Sequence, residues 1–422
     1  MSTHVSRRRL LSSHRLIALA LAALAGLIAF SIVAEAADAA KRKRGVRVKV
    51  MTRNVYLGSP LSAVLAAGSV PELCTGGGQV LREVDGTKPP ARMRAIANEI
   101  ANKKPDFVGM QEVAKWSIQS PSDGGDTKYT FLPGAQPATT VKYDFLKLIR
   151  KRLKQRGTPY RPVSVSNNFE FEVPVDYDAN SATGSAGGTA LGCNDAEVDG
   201  RMLIRDVLLA RAGHGVRVSK PRHANFQRRL VLRLAAGLGF PVLRGWESVN
   251  ARVRGSARLR ILNAHLEAFD SATSNDMCIG CTYPADLTQL TSVSRGSVRE
   301  AQAQELLAGP AKARLSILVG DLNSNVPGVQ PGDSQAFAAI LAAGFKRRST
   351  YKPKSCCIDD PTSTLLGGSL ADFDHVVDHI TARPGKRIRK LRSGVVGRAK
   401  VAAGRWPSDH AGVWSVLRVP QR

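Results

Sequence analysis

Ile317-Leu318-Val319-Gly320-Asp321-Leu322-Asn323-Ser324-Asn325 is the stretch whose reading decides the fold. Three consecutive aliphatic residues describe a buried strand, and Gly320 lets the backbone turn sharply where the strand ends. Asp321 and Asn323, at i and i+2, point to the same side of an extended chain. A carboxylate and a carboxamide on a rigid strand exit can orient a water, a metal or a phosphate oxygen. Taken alone, the pattern is also that of an ordinary Asp/Asn-rich turn after a strand. Its weight comes from repetition, because four other stretches carry an aliphatic strand into polar residues.

Val46 to Asn54 alternates apolar and polar residues, the mark of a half-buried strand. Phe107-Val108-Gly109-Met110 runs into Gln111-Glu112. Arg258 to Leu266 is a strand with Asn263 and His265 facing one way. Trp406-Pro407-Ser408-Asp409-His410 leads into a last strand, Gly412 to Val419. Phe373 to Ile380 is a polar-rich strand with two Asp-His steps, Asp374-His375 and Asp378-His379. Arg228 to Ala235 and Trp246 to Arg254 read as further strands. Leu203 to Arg211 is a strand pattern broken by Asp206, either an ion-pair partner of Arg205 and Arg211 or a neighbour of a site.

Between the strands lie amphipathic helices. One opens at Pro89-Pro90 with Met93, Ile96, Ala97 and Ile100 at helical spacing, and Lys103-Lys104-Pro105 closes it. Others run from Tyr143 to Arg156, around Val298 to Leu307, and from Ser334 to Ala343. Residues 58–90, 115–139 and 167–200 are polar or rich in Gly, Ser and Pro and read as insertions and loops. A Cys-containing loop covers residues 270–294. The helix–strand succession predicts a layered α/β domain. No fixed-period repeat or long linker divides it.

The chain has 422 residues, 43% of them hydrophobic, and a formal net charge of +27. Such a balance points to polyanions: nucleic acid, anionic lipid headgroups or cell-wall phosphate polymers. Arg7, Arg8 and Arg9 precede an apolar run from Leu16 to Ala34, followed by Ala34-Glu35-Ala36 and Ala37-Asp38-Ala39. Residues 1–36 therefore read as an export signal with a cleavage site, favoured over an uncleaved anchor. Ser6 to Leu11 resembles a twin-arginine signal, which implies export of a folded protein to the periplasm, cell surface or medium. Residues 37–46, with Lys41-Arg42-Lys43-Arg44, form a basic tether, and 47–420 the domain. No other apolar run is long enough to cross a bilayer. Cys74, Cys193, Cys278, Cys281, Cys356 and Cys357 lack zinc spacing and favour loop-stapling disulfides of undetermined pairing.

The strand-end polar residues are Asn54, Glu112, His265, Asp321, Asn323, Asp378, Asp409 and His410. In their order along the chain they resemble the endonuclease/exonuclease/phosphatase family, over about residues 47–420. The motifs that carry the resemblance are Asn54 at a strand end, Gln111-Glu112, Asn263-Ala264-His265-Leu266, Gly320-Asp321-Leu322-Asn323-Ser324, Val377-Asp378-His379-Ile380 and Ser408-Asp409-His410. Arg299 and Gln302 match the Arg-x-x-Gln helix of several members.

The resemblance implies a deoxyribonuclease I-like, four-layer α/β sandwich: two mixed β-sheets packed face to face, flanked by helices. It implies a divalent cation, Mg²⁺ with Mn²⁺ or Ca²⁺ as alternatives, held by Glu112 and Asn54 with support from Asp409. Asp321 and Asn323 would position the attacking water, and His265 and Asn323 would donate to phosphate oxygens. Asp378 would fix the tautomer of His410, with Asp374 as the alternative partner. The expected activity is phosphodiester hydrolysis, with nucleic acid the leading substrate because of the basic composition. A sphingomyelinase-like phospholipase C acting on a phospholipid headgroup, a phosphomonoesterase, and a non-catalytic polyanion binder are the alternatives. A monomer is expected, and no protein partner is implied.

Overall fold

The computed structural model describes residues 45–422 except 131, 181, 234–238, 270–273, 329–332, 351, 359–366 and 402–403. The export signal and most of the basic tether lie outside the described residues. In chain order the strands are β1 Val46–Asn54, β2 Phe107–Gln111, β3 Lys115–Gln119, β4 Thr140–Asp144, β5 Tyr160–Val175 and β6 Val198–Arg211. They continue as β7 Val216–Asn225, β8 Arg228–Arg233, β9 Gly239–Val242, β10 Gly245–Val253, β11 Leu259–His265 and β12 Ser274–Ile279. The last six are β13 Thr291–Ser294, β14 Ser316–Asp321, β15 Lys346–Arg347, β16 Asp378–Arg383, β17 Arg389–Val396 and β18 Gly412–Val419.

One sheet has the order β17-β18-β1-β2-β6-β3-β4, with β5 also paired to β6, and a second has the order β15-β16-β14-β11-β10-β7. Both are mixed: β1–β2 and β11–β14 are parallel, and the other pairings are antiparallel. The two sheets share an apolar interior that includes Val48, Val50, Phe107 and Leu208 from one and Val249, Ile261, Ile317, Val319 and Ile380 from the other. Met51, Val108 and Met110 face the opposite way, onto the helices Val70–Gly86, Pro89–Lys103 and Phe145–Gln155. Leu262, Ala264 and Leu318 face the helices Ser297–Ala308 and Gln335–Ala342 on the far side. The result is the expected four-layer sandwich, because the central strands β1, β2, β11 and β14 are buried on both faces and both need cover.

Several segments differ from the sequence expectation. A third sheet, β13-β12-β8-β9, stands beside the sandwich, where a loop was expected around residues 270–294. Val70–Gly86 is a helix rather than an irregular insertion. Ser69 caps it, and its consecutive glycines Gly76, Gly77 and Gly78 lie where backbone and side chains press closest: a Cβ on Gly76 would meet the Ala63 carbonyl oxygen at 2.7 Å, and one on Gly78 the Asp176 oxygen at 1.6 Å. Those glycines mimic loop composition but serve close packing. Residues 167–200, expected to be irregular, begin inside the long strand β5, and β6 runs unbroken through Asp206. The polar strand expected from Phe373 starts only at Asp378. The cysteines pair as Cys74–Cys193, Cys278–Cys281 and Cys356–Cys357. Among the described residues no helix is long and apolar enough to cross a membrane.

Candidate active site

The inward face of the sandwich changes character along each strand. On β1 it reads Val48, Val50, Thr52, Asn54; on β11 Leu259, Ile261, Asn263, His265; on β14 Ile317, Val319, Asp321. On β16, entered from the other end, it reads Asp378, Ile380, Ala382. All positions of one parity share a face, so the strands that build the apolar interior also deliver polar side chains at one common edge. Pairing then sets their spacing: His265 lies opposite Asp321 across β11–β14, and Asp321 opposite Asp378 across β14–β16.

Asp321 is the centre of the resulting network. Asn54 Nδ2 donates to Asp321 Oδ2 at 3.0 Å and to Glu112 Oε1 at 2.9 Å. The Asn323 backbone N–H donates to Asp321 Oδ1 at 3.0 Å. His410 Nε2 and His265 Nε2 lie 3.6 Å and 3.9 Å from Asp321 Oδ2. His410 Nδ1 meets Asp378 Oδ2 at 3.0 Å, and both side chains are buried. Asp374 is exposed and bonds its own neighbour His375, so only Asp378 reaches His410. His379 turns away, stacks on Phe337 and meets the Ser324 carbonyl oxygen at 2.8 Å, and burial pushes its pKa down to about 3.

Charge and burial oppose each other here. Burial disfavours a charge on His410, but Asp378, Asp321 and Asp409 outweigh it and hold its pKa well above the ordinary histidine value. Burial would raise Asp321, yet His410, His265 and the Asn54 bond hold its pKa below the usual carboxylate value. For Asp378 burial wins over His410, and the carboxyl is raised.

Glu112 and Asp409 are partly exposed and line a cleft of about 150 Å³ together with Tyr56, Leu61, Phe169, Arg244 and Phe269. Glu112 has φ 58°, a left-handed conformation unfavourable for a residue with a Cβ by about 1 kcal/mol. It directs the carboxylate back over the strand ends, where Leu57 N–H donates to Oε2 at 3.0 Å. Burial pushes Asp409 up to about 6 against the pull of the nearby His410, and Glu112 adds to the rise. Two carboxylates at an open edge suit a hard divalent ion that keeps several waters. Asn54 bridges Glu112 to Asp321 through Nδ2, and its Oδ1 accepts from Tyr56 N–H at 2.9 Å, which leaves that oxygen's second lone pair for a cation. Among the described residues, Asp321, Asp378 and His410 also form a group compact enough to hold an ion.

The site extends beyond the eight strand-end residues, and the structure decides between the two readings of Asp206. Asp206 is fully buried; its Oδ1 lies 3.4 Å from His265 Nδ1 and accepts from Glu112 N–H at 3.4 Å, while Asn168 donates to its Oδ2 at 2.5 Å. It is a neighbour of the site, and Arg205 pairs instead with Asp144 at 2.7 Å. Arg244 Nη1 lies 3.4 and 3.5 Å from the two ring nitrogens of His265. Arg92 binds the carbonyls of Val55, Tyr56 and Pro407, and Arg53 that of His410, so two buried arginines tie the Asn54 edge to the His410 loop. Asp206 was visible as a charge at a strand's apolar position; the arginines gave no local signal. Arg299 and Gln302 anchor the backbone of Glu267, two residues beyond His265. Asn323 Nδ2 donates to the Leu266 carbonyl oxygen at 3.0 Å, which commits one of its two amide hydrogens.

A sequence model described as the Endonuclease/Exonuclease/phosphatase family matches residues 54–410, from the first of these strand-end residues to the last. The chain belongs to the endonuclease/exonuclease/phosphatase family. Members of this family are phosphoester hydrolases that depend on a divalent metal. No curated protein is matched. Solved structures similar to the chain include a family member from Bacteroides vulgatus, with 13% identity, 89% of this chain and 99% of that chain covered, and a TM-score of 0.44. D. rerio TDP2 complexed with a single-strand DNA product has 14% identity, coverage of 88% and 99%, and a TM-score of 0.41. A mannosyl-6-phosphatase from Bacteroides thetaiotaomicron has 14% identity, coverage of 88% and 99%, and a TM-score of 0.42.

Proposed function

We propose that this family member is an exported, Mg²⁺-dependent phosphodiesterase that hydrolyses nucleic acid. The observation that carries the chemistry is the buried Asp378–His410 pair, 3.0 Å between Oδ2 and Nδ1, set beside Asp321 at an open acidic edge. Asp321, kept ionised by its neighbours, takes the proton of the attacking water. Asn323 and Asn54 fix the Asp321 carboxylate through the bonds to Oδ1 and Oδ2. Asp378 holds the His410 tautomer and favours its charged form, placing a positive donor where the phosphoryl oxygens gain charge. His265 and the second Asn323 amide hydrogen serve the non-bridging oxygens. Glu112 and Asp409 would hold the cation, which polarises the phosphoryl group and offsets charge on the leaving oxygen.

The net charge of +27 supports a nucleic acid substrate, since a phosphate backbone gains most from a basic partner. The test is the mature protein with Mg²⁺ on DNA, RNA and sphingomyelin in parallel, each with a chelator control. Cleavage of DNA or RNA that chelator abolishes and that falls steeply between about 50 and 200 mM salt is expected. Asp321→Ala and His410→Ala should abolish it while leaving polyanion binding in place. Turnover of sphingomyelin alone would replace the nuclease reading with the phospholipase C reading, and chelator-resistant cleavage would remove the metal.

A further inference from the structure

The cleft beside Glu112 adjoins a second cavity, and Phe169 forms a wall of both. The first has a volume of about 150 Å³ and the second about 260 Å³. A volume of about 150 Å³ matches that of a cavity known to hold one six-membered ring. The first is walled by Tyr56, Phe169 and Phe269 and contains Arg244, with the Glu112 and Asp409 carboxylates on its cation side; the second is walled by Tyr129, Phe169, Phe240 and Tyr283 and contains Lys128, Arg229 and Glu170. The rings of the second form a run: Phe169 to Phe240 is 4.8 Å between centroids, Phe240 to Tyr283 5.1 Å, and Tyr283 to Tyr129 5.7 Å. Phe169 sits where the β5–β6 ladder shifts register between Asn167 and Glu170, and such a bulge re-aims a side chain away from the regular pleat.

We propose that these adjoining cavities are two successive base sites for single-stranded nucleic acid, the first taking the base next to the phosphate that is cut. The inference rests on the phosphodiesterase reading above and narrows its substrate. Aromatic walls interleaved with cations are what an unpaired strand needs: every base has a face to stack, and the backbone between bases is anionic. A base within a duplex is stacked on both faces and cannot enter a ring-sized cavity without leaving its helix. Arg244 selects a base over a plain hydrocarbon ring. It is only 7% exposed, lies against His265, approaches Glu267 at 3.5 Å, and its Nε has no hydrogen-bond partner among the described residues. A guanidinium so placed has donors for a ring carbonyl or a phosphate oxygen, and a hydrocarbon offers neither. The wholly apolar cavity behind Leu61 and Phe169, about 60 Å³, is too small to take a lipid chain.

The test compares four substrates with the wild-type protein and Mg²⁺: a single-stranded 12-mer, the same sequence as a duplex, the same strand with abasic sugars throughout, and sphingomyelin vesicles. The base-bearing single strand should be cut about tenfold or more faster, in kcat/KM, than either the duplex or the abasic strand, the scale of one stacked base. Fluorescence anisotropy in chelator, which needs no turnover, should show the same order of affinities. Phe169→Ala should remove most of the difference between base-bearing and abasic strands in both measurements. Equal cleavage and binding of abasic and base-bearing strands, or a preference for duplex, would overturn the base sites and leave the nuclease reading standing. Cleavage of no nucleic acid at all would overturn both, and turnover of sphingomyelin would assign the cavities to lipid.

Discussion

Asp378→Asn is the most discriminating change the site offers. The variant keeps the size of a fully buried side chain and removes its charge 3.0 Å from His410 Nδ1. At an effective dielectric constant of about 20, unit charges at that separation attract by about 5 kcal/mol, an upper bound equal to about four decades in the protonation equilibrium of His410. The amide can also present its NH₂ to Nδ1, which would impose the wrong tautomer, a change that costs about 10⁴-fold in a buried carboxylate–histidine pair of another hydrolase. The expected outcome is a fall in kcat of about 10²–10⁴-fold with KM changed less than about threefold, because the pair acts on the transition state and not on substrate binding. Asp374→Asn is the control: that carboxylate is 59% exposed and, among the described residues, bonds its neighbour His375, so kcat should stay within about twofold. The assay is steady-state cleavage of a fluorogenic oligonucleotide, with thermal unfolding to show that both variants fold. A folded Asp378→Asn protein with more than half the parent kcat, or an equal loss in Asp374→Asn, would refute the assignment.

Other changes probe different parts of the molecule. Glu112→Gln removes one of two carboxylates at the cleft mouth and should weaken Mn²⁺ binding about 10–100-fold by isothermal titration without substrate. Glu172 is fully buried, and burial raises its pKa from an ordinary carboxyl value to about 7, only partly offset by Ala138 N–H and Arg201. The folded state thus holds this proton more tightly than the unfolded chain does. The stabilisation is complete below the unfolded pKa and is lost as pH rises through about 7. Glu172→Gln, a permanent stand-in for the protonated acid, should therefore be more stable than the parent at pH 8, by up to about 3 kcal/mol in urea, and differ by less than about 1 kcal/mol at pH 5. Gly109→Ala would place a Cβ 2.2 Å from Asn263 Oδ1 and 2.5 Å from Val319 Cγ2, between the two sheets. Overpacking there should cost about 1–3 kcal/mol, read as a shift of the urea midpoint.

The sequence by itself determined what each strand would do: a residue's parity on an extended chain is local, so Val48, Val50, Thr52 and Asn54 share a face whatever packs against them. It also placed Asn54, Glu112, His265, Asp321 and His410 at the ends of separate elements, because an aliphatic run that turns polar is visible without any partner. Tertiary structure decided which of those ends meet. Asp378 and Asp374 look alike in the sequence, and only the β14–β16 register sets Asp378 opposite Asp321. Arg244, Arg92 and the helix glycines 76–78 owe their places to contacts between residues far apart in the chain, and such contacts also chose between the two readings of Asp206. Burial and charge pairing act through space, so no local pattern could announce them.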